Sequence, residues 1–347
     1  MPANRATFST PAQLEDFVSQ CDVLVHLAGM NRGEDEAVEK TNIELADALR
    51  AAMLRTSRKP HVLFSSSSHI SGDSAYGRSK RRAAEILAHW AADSGGRFSN
   101  LILPHVFGES GRPFYNSVVS TFCYQLANDE EPEIKVDAEL ELFHTQDVAR
   151  LIVDVIDNES AGDIRPTGFK MSVSDLLARL ENLATTYAGG VIPDLDEPID
   201  LALFNTYRSY LFPAAYPVSL QVRSDDRGSL FEAVKSQHGG QAFLSTTRPG
   251  ITRGDHFHFA KVERFLVVSG SARIRIRRLY DDQVHEFPVD GDNPAYVDMP
   301  TLHTHNITNT GDGELLTLFW SHEIFDPDNP DTYAEPVTNG KTSQCKN

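Results

Sequence analysis

The hydrophobic period of this chain changes part-way along it. From Asp22 to Gly29 the sequence DVLVHLAG is one apolar run ending at glycine, the pattern of a strand buried on both faces of a parallel sheet. A helical stretch follows through VEKTNIELADALRAAMLRTS, with Ile43, Leu45, Leu49 and Met53 at helical spacing. A second strand begins at His61 in HVLFSS, a helix runs from about Tyr76 to Ala92, and a third strand lies in NLILPHVFG. After FPAAYPVS, residues 212–219, that alternation ends. Short β-branched and aromatic runs take over: QAFLSTT, ERFLVVSG, ARIRIRRL, AYVDMP and ELLTLFW. Strands alternating with helices predict a doubly wound α/β sheet, and the second pattern predicts an antiparallel barrel or jelly roll. A chain of 347 residues holds both, at about 150 residues per domain. The expected division is 1–214, 215–334 and a polar, frayed tail over 335–347.

Charge and cysteine content narrow the function. Lys and Arg total 32 against 49 Asp and Glu, a formal net charge of −17, which repels nucleic acid and anionic membrane surfaces. The three cysteines, Cys21, Cys123 and Cys345, have no metal-type spacing and form no disulfide framework. No run approaches the roughly 20 apolar residues of a membrane span, and the first residues lack a signal-peptide core, so a soluble cytoplasmic protein is expected.

Tyr76 and Lys80 in AYGRSK stand four apart on one helix face, and Ser67 lies just past HVLFSS, where strand ends in such sheets meet ligand. This constellation resembles the Ser/Tyr/Lys site of the extended short-chain dehydrogenase/reductase family, with its Rossmann-type fold. HLAG, from His26 through Leu27 and Ala28 to Gly29, resembles that family's loop beside the dinucleotide. The resemblance implies that NADPH, or NADH, binds against this loop, Tyr76 and Lys80. Ser67 would hold a carbonyl oxygen while Tyr76 passes it a proton, Lys80 lowering the phenol's pKa. Asp147 in FHTQDVARLI is expected to cap a helix. The family's glycine-rich pyrophosphate turn does not precede DVLVHLAG, so about 25 to 30 residues of a β-α-β unit are expected to be missing.

In the second half, Gly250, His256, His258, Glu263 and Gly270 reproduce the spacing of the first cupin motif. Pro300, His305 and Asn309 resemble the second, with Leu302 where that motif has glycine. The resemblance implies a jelly-roll barrel in which His256, His258, Glu263 and His305 converge on one divalent ion, zinc foremost, with manganese, iron or nickel as alternatives. DDRGSLFE and GITRGDHFH also resemble the dTDP-4-dehydrorhamnose 3,5-epimerases. That likeness implies that Arg227 and Arg253 hold phosphate oxygens and that His256 takes a proton beside a ketone. A metal-bound imidazole cannot also be the base, so His303 is the alternative.

Taken together, the chain resembles the bifunctional capsule and O-antigen enzymes of the UDP-N-acetyl-L-fucosamine pathway. YNSVVSTFCYQLAN, with Asn116 as a substrate residue, and FDPDNPDTY support the likeness. A homodimer acting on a UDP-sugar is implied: the barrel epimerises C3 of a UDP-linked 4-keto-6-deoxy-N-acetylhexosamine, and NADPH then reduces the C4 ketone. Two alternatives stand beside it, an epimerase with an inactive reductase half and a non-catalytic sugar-binding barrel.

Overall fold

The computed structural model describes residues 3–338. By its internal contacts the chain forms two compact units, one of residues 1–107 and 138–172, the other of 108–137 and 173–347.

In the first unit, β1 (Val23–His26), β2 (His61–Ser67), β3 (Arg97–Leu103) and β6 (Gly162–Ile164) form a parallel sheet in the order β1-β2-β3-β6. Three helices, α1 (Pro11–Ser19), α2 (Asp35–Thr56) and α3 (Ala75–Ser94), cover one face through Leu14, Val18, Leu49, Met53, Leu87 and Trp90. The opposite face receives α5 (Thr145–Asp157), whose Val155 packs on Leu63, Leu101 and Leu103. β2 and β3 are buried on both faces, as their continuous apolar runs require. β1 differs from expectation: among the described residues it pairs only with β2, and Val25 is left 39% exposed. NLILPHVFG is two strands, because Pro104 separates β3 from β4 (His105–Phe107). β4 joins β5 (Glu139–His144) and β7 (Phe169–Ser172) in a smaller sheet.

The second unit carries α4 (Val118–Ala127), α6 (Val173–Ala188) and α7 (Pro198–Leu211). Its strands open with β8 (Val218–Ser219) and an exposed hairpin of β9 (Arg223–Asp225) and β10 (Gly228–Leu230). Then come β11 (Gln241–Thr247), β12 (Thr252–Phe257), β13 (Glu263–Ser269), β14 (Ser271–Arg278) and β15 (Val284–Asp290). The last four are β16 (Ala295–Met299), β17 (His303–Asn309), β18 (Leu315–Ser321) and β19 (Tyr333–Ala334). Two five-stranded sheets result, ordered β11-β18-β13-β16-β8 and β15-β14-β17-β12-β19, with antiparallel pairing throughout. They share a core of Phe265, Val267, Ile274, Ile276, Val297, Ile307 and Phe319.

The compact units do not follow a 214/215 boundary, and the reason is a set of buried polar ties. Tyr187 Oη donates to Asp298 at 2.6 Å, Asn205 Nδ2 to the Ala260 carbonyl at 2.8 Å, and Arg208 Nη1 to the Met299 carbonyl at 3.2 Å. The tail is also held further than expected. Val337 is fully buried, and the Arg277 guanidinium donates to the carbonyls of Pro336 and Val337 at 2.7 Å each. The rest of the polar tail, from residue 339, lies outside the described residues. No helix among the described residues is long and apolar enough to cross a membrane.

Candidate functional site

β2 ends at Ser67, and α3 begins eight residues later with Ser74 accepting from Gly77 N at 3.1 Å as its cap. Tyr76 and Lys80 therefore stand one turn apart at the carboxyl end of the sheet. The Tyr76 hydroxyl meets that of Ser67, while Lys80 Nζ donates to the Ser65 carbonyl at 2.8 Å and lies 4.8 Å from the Phe64 ring centre. All three residues come together.

Their electrostatics depart from expectation. Burial raises the Tyr76 phenol above its ordinary value, and the Ser67 hydrogen bond only partly offsets this. Lys80 donates to the Ser65 carbonyl and its ammonium sits 5.9 Å from the phenol ring centre. Burial in turn pushes Lys80 down to about 8.

The loop after β1 lies alongside. His26 is buried and stacked on Phe64 at 5.5 Å, and burial, then the Lys80 charge, holds it down to about 4. Leu27 and Ala28 are exposed. A Cβ at Gly29 would come to 3.0 Å from Asn42 Oδ1 and 3.3 Å from Lys80 Nζ, so the loop lies close against both side chains. Asn42 was passed over by the sequence reasoning, yet it sets the loop. It accepts from Met30 N at 2.7 Å and donates to the Met30 carbonyl at 2.8 Å and to Ser79 Oγ at 2.9 Å. Its signal was a polar residue on the buried stripe of α2. Asp147 is not a cap: His144 takes that position, and Asp147 sits in the first turn of α5, paired with Arg150.

In the second unit, β12 pairs with β17 so that His256 lies directly opposite His305. A bulge at Gly254–His256 sets this register, with Gly254 at φ +106° and Asp255 at φ +59°. A Cβ on Gly254 would stand 2.7 Å from the His305 carbonyl, which explains that glycine. His258 follows β12, and Glu263 opens β13 in the other sheet, so the four side chains come from both sheets. Ligand atoms of His256, His258, Glu263 and His305 all fall within 4.8 Å of one another.

Their outer hydrogen bonds decide what the cluster can hold. His258 Nδ1 faces the Asp331 carbonyl at 2.5 Å, and His305 Nδ1 faces the His303 carbonyl at 3.1 Å; His256 bonds the Gly254 backbone. A carbonyl only accepts, so each Nδ1 of His258 and His305 carries a proton and Nε2 is left to face inward. His305 Nε2 is buried without a hydrogen-bond partner, 3.4 Å from Glu263 Oε2, and His258 Nε2 is 3.1 Å from the same oxygen. Buried acceptors facing a carboxylate are costly unless a cation lies between them. A tetrahedral ion with bonds of about 2.1 Å has ligand–ligand edges of about 3.4 Å, so the donor set fits a divalent cation. Burial alone would raise Glu263, and only positive charge and donated hydrogen bonds at the His258 and His305 positions bring it below the ordinary carboxylate range; with both imidazoles neutral, a bound cation would supply that charge. Burial, then His305 and His258, holds His256 down to about 4.

The remaining expected residues are more scattered. Arg227 lies on the exposed β9–β10 hairpin and bonds Asp225 at 3.1 Å; Arg253 is tied to Thr247 Oγ1 at 3.0 Å and the Thr246 carbonyl at 3.1 Å. Asn116 is exposed in the turn before α4, in the unit that lacks Ser67, Tyr76 and Lys80. His303 is buried against Phe212, with Nδ1 on the Thr301 carbonyl at 2.8 Å, and burial holds it down to about 4, neutral at pH 7. Leu302 keeps the turn that glycine was expected to make, at φ +60°.

Two family matches divide the chain as the two kinds of architecture do. Residues 3–166 match the NAD dependent epimerase/dehydratase family, and residues 223–333 match the polysaccharide biosynthesis C-terminal domain. The chain is 33% identical to the UDP-2-acetamido-2,6-beta-L-arabino-hexul-4-ose reductase of Pseudomonas aeruginosa, over 96% of this chain and 91% of the relative, and belongs to its family. Among solved structures it resembles the capsular polysaccharide assembling protein CapF from Staphylococcus aureus, with 35% identity, TM-score 0.60, and coverage of 95% of this chain and 91% of that one. The spore coat polysaccharide biosynthesis protein SpsL of Bacillus subtilis is 27% identical over 34% of this chain and 84% of its own.

Proposed function

We propose that this protein is a nucleotide-sugar enzyme of capsular or O-antigen polysaccharide synthesis, acting as a homodimer on a UDP-linked 4-keto-6-deoxy-N-acetylhexosamine. The observation that carries the reading is the meeting of Ser67, Tyr76 and Lys80 at the end of β2, beside the Gly29 loop. When bound, NADPH supplies hydride to the first unit and a divalent ion, zinc foremost, supplies positive charge to the second.

Ser67 would hold the C4 carbonyl oxygen, and Tyr76 would pass its proton to that oxygen as it becomes a hydroxyl. Lys80, tied to Ser65, would be held in place one helical turn from Tyr76, its positive charge favouring the phenolate that proton transfer leaves. In the second unit, read as a cupin jelly roll, His256, His258, Glu263 and His305 would hold the ion. Arg227 and Arg253 would meet the diphosphate, and a histidine base would take the C3 proton: His303 if His256 is a ligand. Epimerisation must come first, because the ketone that acidifies C3 is consumed by reduction.

The test uses the UDP 4-keto sugar in deuterated water with metal-loaded protein. Deuterium at C3, read by mass spectrometry, and oxidation of added NADPH are expected; Tyr76→Phe should keep the first and lose the second. If neither occurs with wild-type protein, the reading is wrong. A second reading, epimerisation alone, is favoured by one observation: His256, His258, Glu263 and His305 come together within the second unit without any residue of the first. Deuterium uptake without NADPH oxidation, and no NADPH binding in a fluorescence titration, would select it.

A further inference from the structure

We propose that Asp331 is the positioning residue of the four-ligand centre, acting on His258 through its carbonyl and on the loop between β12 and β13 through its carboxylate. The inference rests on the metal reading above. The carboxylate accepts three consecutive backbone N–H groups: Phe259 N on Oδ1 at 2.9 Å, and Ala260 N and Lys261 N on Oδ2 at 2.9 and 2.8 Å. Those are three of the four residues between His258 and Glu263, two of the four proposed ligands. The Asp331 carbonyl meanwhile faces His258 Nδ1 at 2.5 Å, fixing both the rotation of the imidazole and the nitrogen that faces inward.

One residue thus sets the loop and the ring together, and its neighbours hold it there. Lys261 Nζ, buried, donates to the Pro330 carbonyl at 2.6 Å, so the loop and the 330–331 segment grip each other in both directions. Tyr333 stacks on Phe257 at 5.4 Å and meets the edge of Phe259 at 4.8 Å. Asp331 has φ +39°, a left-handed conformation that aspartate and asparagine adopt more readily than other non-glycine residues. Asparagine could keep the carbonyl contact but has one side-chain acceptor oxygen for three donors, and alanine has none.

Metal-free full-length protein is titrated with Co²⁺, read by its visible d–d absorption, and affinity is measured by competition with a chelator. Asp331→Ala should weaken Co²⁺ about 100-fold and shift the absorption bands, while Asp331→Asn should weaken it about tenfold, the range seen when groups behind a ligand are removed. A shifted spectrum reports altered ligand geometry, which a loss of global stability alone would not produce. If Asp331→Ala fails to fold by circular dichroism, Asp331→Asn decides. Wild-type affinity and spectrum in the folded variants would overturn the positioning role and leave the metal centre standing. Absence of Co²⁺ binding by the wild type would overturn the metal reading, and this inference with it.

Discussion

Leu302 shows how much a single backbone angle matters to the second unit. Its amide donates to the His258 carbonyl at 2.9 Å and its carbonyl accepts from Leu279 N at 3.0 Å, so the turn leading into His303 and His305 is fixed from both sides. Those bonds hold a leucine at φ +60°, where its Cβ crowds the following carbonyl at a cost of about 1 to 2 kcal/mol. Leu302→Gly removes that crowding but adds freedom to the unfolded chain. The net expectation is a gain of about 1 kcal/mol in urea unfolding, with metal content unchanged; destabilisation would show that the leucine side chain contributes more packing than the angle costs.

At the level of elements, the segment after β19 acts as part of the sheet it follows. Arg277, on β14, is buried and draws on three consecutive residues there: Glu335 Oε1 at 2.9 Å and the carbonyls of Pro336 and Val337. Val337 N donates to Asp255 Oδ1 at 3.1 Å, beside the bulge that aims His256. Deleting 335–347 leaves a buried guanidinium short of partners, and a loss of about 3 kcal/mol in urea unfolding is expected. A change below about 1 kcal/mol would show that water satisfies Arg277 instead. EPVT reads in sequence as a polar end because its stabilising groups are mostly backbone carbonyls, which no side-chain pattern reveals. The apolar runs of β2, β3, β13 and β14 were legible because burial dictates them residue by residue. The clustering of His256, His258, Glu263 and His305 was foreshadowed by their spacing, since the β12–β17 pairing and the loop from β12 to β13 impose fixed separations. Asn42 and Asp331 were not, because each acts on backbone groups distant in sequence or hidden in a loop.

Considered as a whole, the second unit keeps its helices with its sheets through buried polar groups, so its boundary does not fall where the hydrophobic period changes. Asp298 is fully buried, receives two bonds from Arg264 at 2.7 and 2.8 Å, and takes a third from Tyr187, whose hydroxyl also meets that of Tyr216 at 2.7 Å. A fragment of residues 218–347 keeps Arg264 and Asp298 but loses Tyr187, Asn205, Arg208 and Tyr216. One of 173–347 keeps them all. The longer fragment should therefore be more stable by about 2 kcal/mol or more, at roughly 1 kcal/mol for each net hydrogen bond. Equal urea midpoints would show that the helices add nothing to the sheets.

The interleaving of the two units also sets an order in time. The first unit is complete once residue 172 has been synthesised, but residues 108–137 in its midst belong to a body whose other parts come later. α4 presents Val119, Phe122 and Cys123 for burial, and its partner α7 ends at Leu211, roughly 80 residues downstream. At about 5 to 20 residues per second, the ribosome leaves that apolar face waiting for several seconds. During that interval the nascent chain carries a finished sheet and an unclaimed helix, and a chaperone that shields short apolar helices would raise the yield of this protein more than its stability.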